Sequence, residues 1–116
     1  MAIAEALEAP VVLVAEDAGA IVGVLRGGRL DRKGRTVLQS LFVDADHHRR
    51  GVGRRLVTRF EQGCLARNAA VIKLASTLYA VPFYQALGYQ RSTGARTGRS
   101  FQAGGLAYQP MKKRLA

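Results

Sequence analysis

Six consecutive residues, His48-Arg49-Arg50-Gly51-Val52-Gly53, are the chain's best candidates for chemistry. Gly51 and Gly53 leave backbone N–H groups open to a ligand, with no side chain to hold it off. Arg49, Arg50 and Arg54 place positive charge beside them. If a helix begins at Val52, its unpaired amides and the positive end of its dipole converge on the same point. The stretch reads as a cradle for a pyrophosphate. A nucleotide P-loop would need GxxxxGK[ST], which is absent. A dinucleotide fingerprint would need a third glycine where Leu56 stands and an acidic residue about 20 positions further on, and neither is there.

The flanking elements must hold that loop. Gln39 to Val43 carries the β-branched and aromatic residues of a strand. From Val52 the apolar positions take helical spacing: Val52, Leu56, Phe60 and Cys64 lie four apart, with Val57 beside them. Arg54, Arg55, Thr58, Arg59 and Gln62 fall on the other face. The glycines therefore sit where a strand hands over to a helix. Elsewhere, Val11–Glu16 and Ile21–Leu25 read as a hairpin about Asp17-Ala18-Gly19-Ala20. Arg26–Arg35 is a basic loop, Thr36–Val43 a long strand and Ala70–Ala75 a buried strand. Tyr79–Leu87 is a short helix with Pro82 in its first turn and Gly88 closing it. Tyr89 starts a strand that runs into a loop (RSTGARTGRS), and Leu106–Leu115 is the last strand. Ala2–Ala9 is expected to form one or two helical turns ahead of Pro10. The order strand, strand, strand, helix, strand, helix, strand, strand predicts an α+β (α/β) fold, a mixed sheet with helices packed on it. The site should lie at the carboxyl end of the central strand.

Composition narrows the function. The 116 residues suit one domain, and 48% hydrophobic content excludes a disordered chain. No apolar run is long enough to span a bilayer, and MAIAEALEAP has no basic n-region. The lone Cys64 allows no intrachain disulfide, which suits a cytoplasmic protein. The net charge of +10 is uneven, since residues 47–116 hold thirteen basic residues against the single Glu61. Such a half fits a ligand with several phosphates, or a polyanion.

Ala80-Val81-Pro82-Phe83-Tyr84-Gln85-Ala86-Leu87-Gly88-Tyr89 supplies a second motif. Together with His48–Gly53 it resembles the GNAT acetyltransferase superfamily. That family joins a (Gln/Arg)-x-x-Gly-x-(Gly/Ala) loop to a later Ala-x-x-Phe-Tyr-x-x-x-Gly-(Phe/Tyr) helix. His48 stands where Gln or Arg is usual. The resemblance runs from about residue 11 to the end. It implies a mostly antiparallel sheet whose central strand splays from its parallel neighbour, with acetyl-CoA in the gap. Leu41, Phe42 and Val43 would bond pantetheine, and the Leu41 N–H would face the thioester carbonyl as an oxyanion donor. His48, Arg49, Arg50, Gly51, Val52, Gly53 and Arg54 would hold the pyrophosphate. Ala80, Phe83 and Tyr84 would line the thiol end, with Tyr84 protonating the leaving thiolate. No metal is implied. The alternative reading of Tyr84 is a core aromatic beside Phe83.

Two departures accompany the resemblance. Val37-Leu38-Gln39-Ser40 holds no carboxylate where the family often has a glutamate base; Asp44 and Asp46 lie beyond it and read as loop and cap residues. His48 is the titratable alternative, and strand- or loop-like geometry sends it away from His47, against a shared metal site. The family also begins with a strand and two helices over the acceptor site, whereas Met1–Ala9 is all that precedes the first hairpin here. Residues 1–116 thus read as one N-terminally shortened domain. Its acceptor pocket is open, is completed by a second copy of the chain, or belongs to a truncated member. The expected function is direct acetyl transfer to an amine, on a small molecule or a protein. The alternatives are an inactive acyl-CoA-binding module and, more remotely, a basic nucleic-acid-binding protein. The last would interleave aromatics with its basic residues, yet Phe83, Tyr84 and Tyr89 cluster in one motif. No membrane partner is expected.

Overall fold

The computed structural model describes residues 1–5, 11–97 and 107–115. Strand β2 (Val12–Asp17) and strand β3 (Ala20–Gly27) form an antiparallel hairpin. Ala18 and Gly19 turn it with φ of 52° and 81°, the double left-handed geometry that matches the twist of paired strands. Strand β4 (Arg35–Val43) pairs antiparallel with β3. Helix α1 (Val52–Ala66) then crosses one face of the sheet, burying Val52, Leu56, Val57, Phe60 and Cys64. It comes close because β3 is notched beneath it. A Cβ on Gly23 would lie 2.9 Å from Leu56 and Val52, and one on Gly27 would lie 2.3 Å from the Phe60 ring.

Strand β5 (Val71–Thr77) returns parallel to β4. Helix α2 (Val81–Ala86) carries Pro82 in its first turn and ends at Gly88, whose φ is 95°. Gly88 N–H donates to the Gln85 carbonyl and Tyr89 N–H to the Tyr84 carbonyl, each at 3.0 Å, which closes the last turn. Strands β6 (Gln90–Arg91) and β7 (Arg96–Thr97) both pair with the long strand β8 (Ala107–Arg114). With strand β1 (Ala2–Glu5) at one edge, the described residues form a mixed, mostly antiparallel eight-stranded sheet in the order β1-β2-β3-β4-β5-β8-β6, with β7 also on β8. Both α-helices lie on the same face, over Leu13, Leu25, Leu38, Ile72, Leu74 and Met111. Full burial of each such side chain contributes roughly 1.5–3 kcal/mol.

Several elements differ from expectation. Ala2–Glu5 is not helical but forms strand β1, paired antiparallel with β2 from Ala2↔Glu16 to Glu5↔Leu13. So short a segment is too brief to nucleate a helix, and the edge of β2 offers it a ladder. The rest of the expected helix, residues 6–9, lies outside the described residues. β3 extends to Gly27 and β4 starts at Arg35, each taking residues from the expected loop. Tyr89 belongs to the helix closure rather than to a strand, and the RSTGARTGRS loop contributes β7. Leu106 and residues 98–105 also lie outside the described residues.

The same substitution has opposite outcomes at two glycines. Gly27→Ala drives a methyl into Phe60 and should lower urea stability by about 1–3 kcal/mol. Gly63 is interior to α1 and its Cβ would meet nothing nearer than the Arg59 guanidinium at 3.7 Å. Gly63→Ala should therefore raise stability by about 0.5–1 kcal/mol in the same titration.

Candidate active site

β4 and β5 pair only at Arg35↔Val71, Thr36↔Ile72 and Val37↔Lys73. Beyond Val37 the two strands part. A bulge accompanies the separation, since Arg26 and Gly27 oppose Ser40 and Leu38 and leave Gln39 as an extra residue. Gly28 N–H donates to the Val37 carbonyl at 2.7 Å before the bulge, and Asp44 N–H donates to the Val22 carbonyl at 2.8 Å after it. Odd residues thus face β3 before the bulge and even residues after it. Leu41 and Val43 therefore turn N–H and C=O away from β3, toward the gap. Phe42 pairs toward β3 instead, and its side chain is 75% exposed on the helix-free face. It offers the gap neither backbone nor ring.

A cleft of about 650 Å³ occupies the gap, lined by Leu41, Val43, His47, His48, Arg49, Gly51, Val52, Gly53, Arg54, Tyr79, Ala80, Phe83 and Tyr84. Of the residues picked from the sequence, Phe42 and Arg50 lie outside this lining. At one end stands the first turn of α1. Arg55 N–H makes the first helical bond, to the Gly51 carbonyl at 3.0 Å, and no side chain caps the turn. The amides of Val52, Gly53 and Arg54 thus have no partner within the helix. Arg49 and Gly51 both have positive φ (65° and 78°), so the loop curls its amides inward. The two glycines serve different ends. A Cβ on Gly51 would meet nothing within 4 Å, and its need is the left-handed backbone; a Cβ on Gly53 would press within 3.2 Å of the Phe83 ring across the cleft.

The neighbouring histidines have separate partners. His48 Nε2 lies 2.9 Å from the Val43 carbonyl and so must carry the proton and donate it. His47 Nδ1 meets Asp44 Oδ2 at 3.1 Å and Nε2 meets Asp17 Oδ2 at 3.2 Å. These contacts tie the end of β2 to the loop after β4. His47 and Tyr79, which is 95% exposed, join the cleft without having been picked from the sequence. Tyr79 adjoins the Ala80–Tyr89 motif, but nothing in its neighbours marks its exposure. Asp46 and Asp44 are absent from the lining, as is every other described carboxylate.

At the opposite wall, Tyr84 is 8% exposed, its ring edge-on to both Phe83 and Tyr89. Its hydroxyl has no hydrogen-bond partner among the described residues, yet no described buried side-chain polar atom is unsatisfied. The hydroxyl therefore opens on the cleft. Burial pushes its pKa above the ordinary phenol range, so it holds its proton at neutral pH. Behind it, Tyr89 O–H donates to Glu61 Oε2 at 2.8 Å. Lys113 Nζ donates to Glu61 Oε1 at 2.9 Å and to the Leu87 carbonyl at 2.8 Å. One network thus joins α1, the end of α2 and β8. Cys64 faces away from the cleft, and burial lifts its thiol to about 11.

A mixed, mostly antiparallel sheet that divides between β4 and β5 is the fold expected of an acetyltransferase. Residues 2–115 match the model of the GNAT acetyltransferase domain, and the chain belongs to that family. Solved structures agree on the fold. The Ard1 protein of Thermoplasma volcanium superposes with a TM-score of 0.78 at 22% identity, over 90% of this chain and 70% of that one. An aminoglycoside 6'-N-acetyltransferase complexed with coenzyme A gives 0.76 at 18% identity, over 91% and 73%. Nourseothricin acetyltransferase gives 0.78 at 20% identity, over 91% of this chain and 65% of that one. No curated protein matches the chain. No described helix is long and apolar enough to cross a membrane.

Lys113→Met should lower urea stability by about 1–3 kcal/mol, because it strips the cation from Glu61, whose side chain is 15% exposed. The exposed Lys73→Met should change stability by no more than about 0.5 kcal/mol in the same titration.

Proposed function

We propose that the chain is an N-acetyltransferase that moves the acetyl group of acetyl-CoA directly to an amine. The observation that carries this reading is the cleft itself, with the unpartnered amides of α1 at one end and the Tyr84 hydroxyl at the other. The pyrophosphate would rest on the Val52, Gly53 and Arg54 amides, with the guanidinium groups of Arg49 and Arg54 beside them. Pantetheine would run along β4, bonded by the backbone of Leu41 and by the Val43 N–H. The Val43 carbonyl is held by His48, which fixes the loop. The amine nitrogen attacks the thioester carbon. The Leu41 N–H then faces the oxygen that gains charge. As the tetrahedral intermediate collapses, the C–S bond breaks and the Tyr84 O–H protonates the sulfur. With no carboxylate in the described lining, the amine's proton leaves to water. The acceptor is an amine on a small molecule or a protein, and residues 1–116 act as a single domain in the cytoplasm.

The absence of a carboxylate from the described lining also favours a second reading, a module that binds acyl-CoA without turnover. Release of free thiol from acetyl-CoA with a panel of amines separates the two, since a module releases none.

Two substitutions test the assignment. Gly51→Glu puts a carboxylate beside the α1 amides and strains a left-handed position, at about 1–2 kcal/mol. Calorimetry should show acetyl-CoA affinity reduced by on the order of a hundredfold or more while circular dichroism is retained; undiminished binding would place the cradle elsewhere. Tyr84→Phe removes a hydroxyl that bonds nothing among the described residues. It should leave KM near its original value and lower kcat by about 10²-fold, whereas an unchanged kcat excludes the acid role.

A further inference from the structure

The Tyr84 hydroxyl holds no partner among the described residues, so no bond at its tip fixes where it points. Its place in the cleft is set from behind, by the backbone of α2 and by the rings packed on its own. α2 has six residues, fewer than two turns, and so short a helix depends on what grips its ends. Its start is tied to the strand before it, where Ala80 N–H donates to the Thr77 carbonyl at 3.1 Å and to Thr77 Oγ1 at 3.2 Å. Its end is tied by Lys113 of β8. Lys113 Nζ donates to the Leu87 carbonyl at 2.8 Å, just past the last residue of α2. The same ammonium lies 5.7 Å from the centroid of the Tyr89 ring and donates to Glu61 Oε1 at 2.9 Å. Its stem lies along Gly88, where a Cβ would fall 3.2 Å from Lys113 Cε. One side chain therefore touches residues 87, 88 and 89 together. Tyr89 in turn stands edge-on to Tyr84, with the ring centroids 5.8 Å apart.

Lys113 is itself well anchored. It pairs with the fully buried Ile72 across β5 and β8, two places after the buried Met111 on the same face. We propose that Lys113 is a positioning residue for Tyr84: it clamps the end of α2 against β8 and α1, and so sets where the tyrosine hydroxyl stands in the cleft. The inference rests on the reading of Tyr84 as the acid that protonates the leaving sulfur. A methionine at 113 would leave the Leu87 carbonyl without its donor and Glu61 without its counter-charge. Both groups would then turn toward water, and the end of α2 would carry Tyr84, one turn back, along with it. Misplacing a reacting group by about 1 Å costs up to about 10²-fold in rate. Lys112 is the natural control. It lies on the other face of β8, opposite Lys73 and Gln90, away from the helices.

The test is a double-mutant cycle, read as thiol release from acetyl-CoA with the fastest amine of the panel, below the melting temperature of every variant. Lys113→Met should lower kcat about tenfold and leave KM for acetyl-CoA within about twofold. In a Tyr84→Phe background it should lower kcat no further, because the group it positions is gone. Lys112→Met should change neither constant. In protein grown with 3-fluorotyrosine, the fluorine resonance that Tyr84→Phe removes belongs to Tyr84, and Lys113→Met should move it. If Lys113→Met does not fold, Lys113→Gln, which loses the charge and the reach, is measured in the same way. An unmoved Tyr84 resonance overturns the proposal, and so does an undiminished kcat where Tyr84→Phe is impaired. Losses that multiply in the double variant overturn it too, since Lys113 would then act apart from Tyr84. If Tyr84→Phe keeps full kcat, or no amine turns over, the acid or the transfer reading has failed instead. The fluorine spectrum then decides by itself whether Lys113 sets Tyr84.

Discussion

Strands β4 and β5 hold each other through three residue pairs and then diverge, and the site's geometry follows from that divergence. A parallel pair continued to the end of β4 would satisfy the Leu41 and Val43 backbone inside the sheet and leave no gap. The bulge at Gln39 is the second half of the device. It reverses which residues face β3, so that Leu41 and Val43, rather than Phe42, present their amides to the cleft. Unpaired backbone groups are costly when buried, and here they border an open cleft that water or a ligand can fill.

The helix layer keeps the two walls of the cleft in place. α1 sits against β3 because Gly23 and Gly27 offer no side chains to hold it away. That closeness fixes where its first turn points. α2 is tied to α1 through Tyr89, Glu61 and Lys113, and Tyr84 stacks edge-on against Tyr89. The tyrosine wall is therefore coupled to the helix that carries the amides. His47 performs a similar service at the cleft mouth, joining Asp17 to Asp44.

Family and fold class were legible in the chain because both rest on local signals. Glycine spacing at 51 and 53, the four-residue apolar repeat of α1 and the Ala80–Tyr89 motif each lie within one element and its boundary. The error at Ala2–Glu5 shows the limit of that reasoning. Those residues favour a helix locally, but β2 had an edge to fill, and pairing across sequence overrides weak propensity. Phe42 shows it again. A strand reading counts residues from an assumed phase, and one extra residue at the bulge moves the phase by one.

The sequence by itself determined the order of elements from β2 to α2, the turn chemistry at Ala18-Gly19 and Gly88, and the glycine-arginine loop ahead of α1, because each is set by a few neighbouring residues. Only the tertiary structure decided which backbone groups of β4 reach the cleft, that His47 lies between two carboxylates, that the Tyr84 hydroxyl has no partner among the described residues, and that Phe42 points away from the helices. Each of those depends on where strands far apart in sequence come into register, which is a property of the assembled sheet and not of any window along the chain.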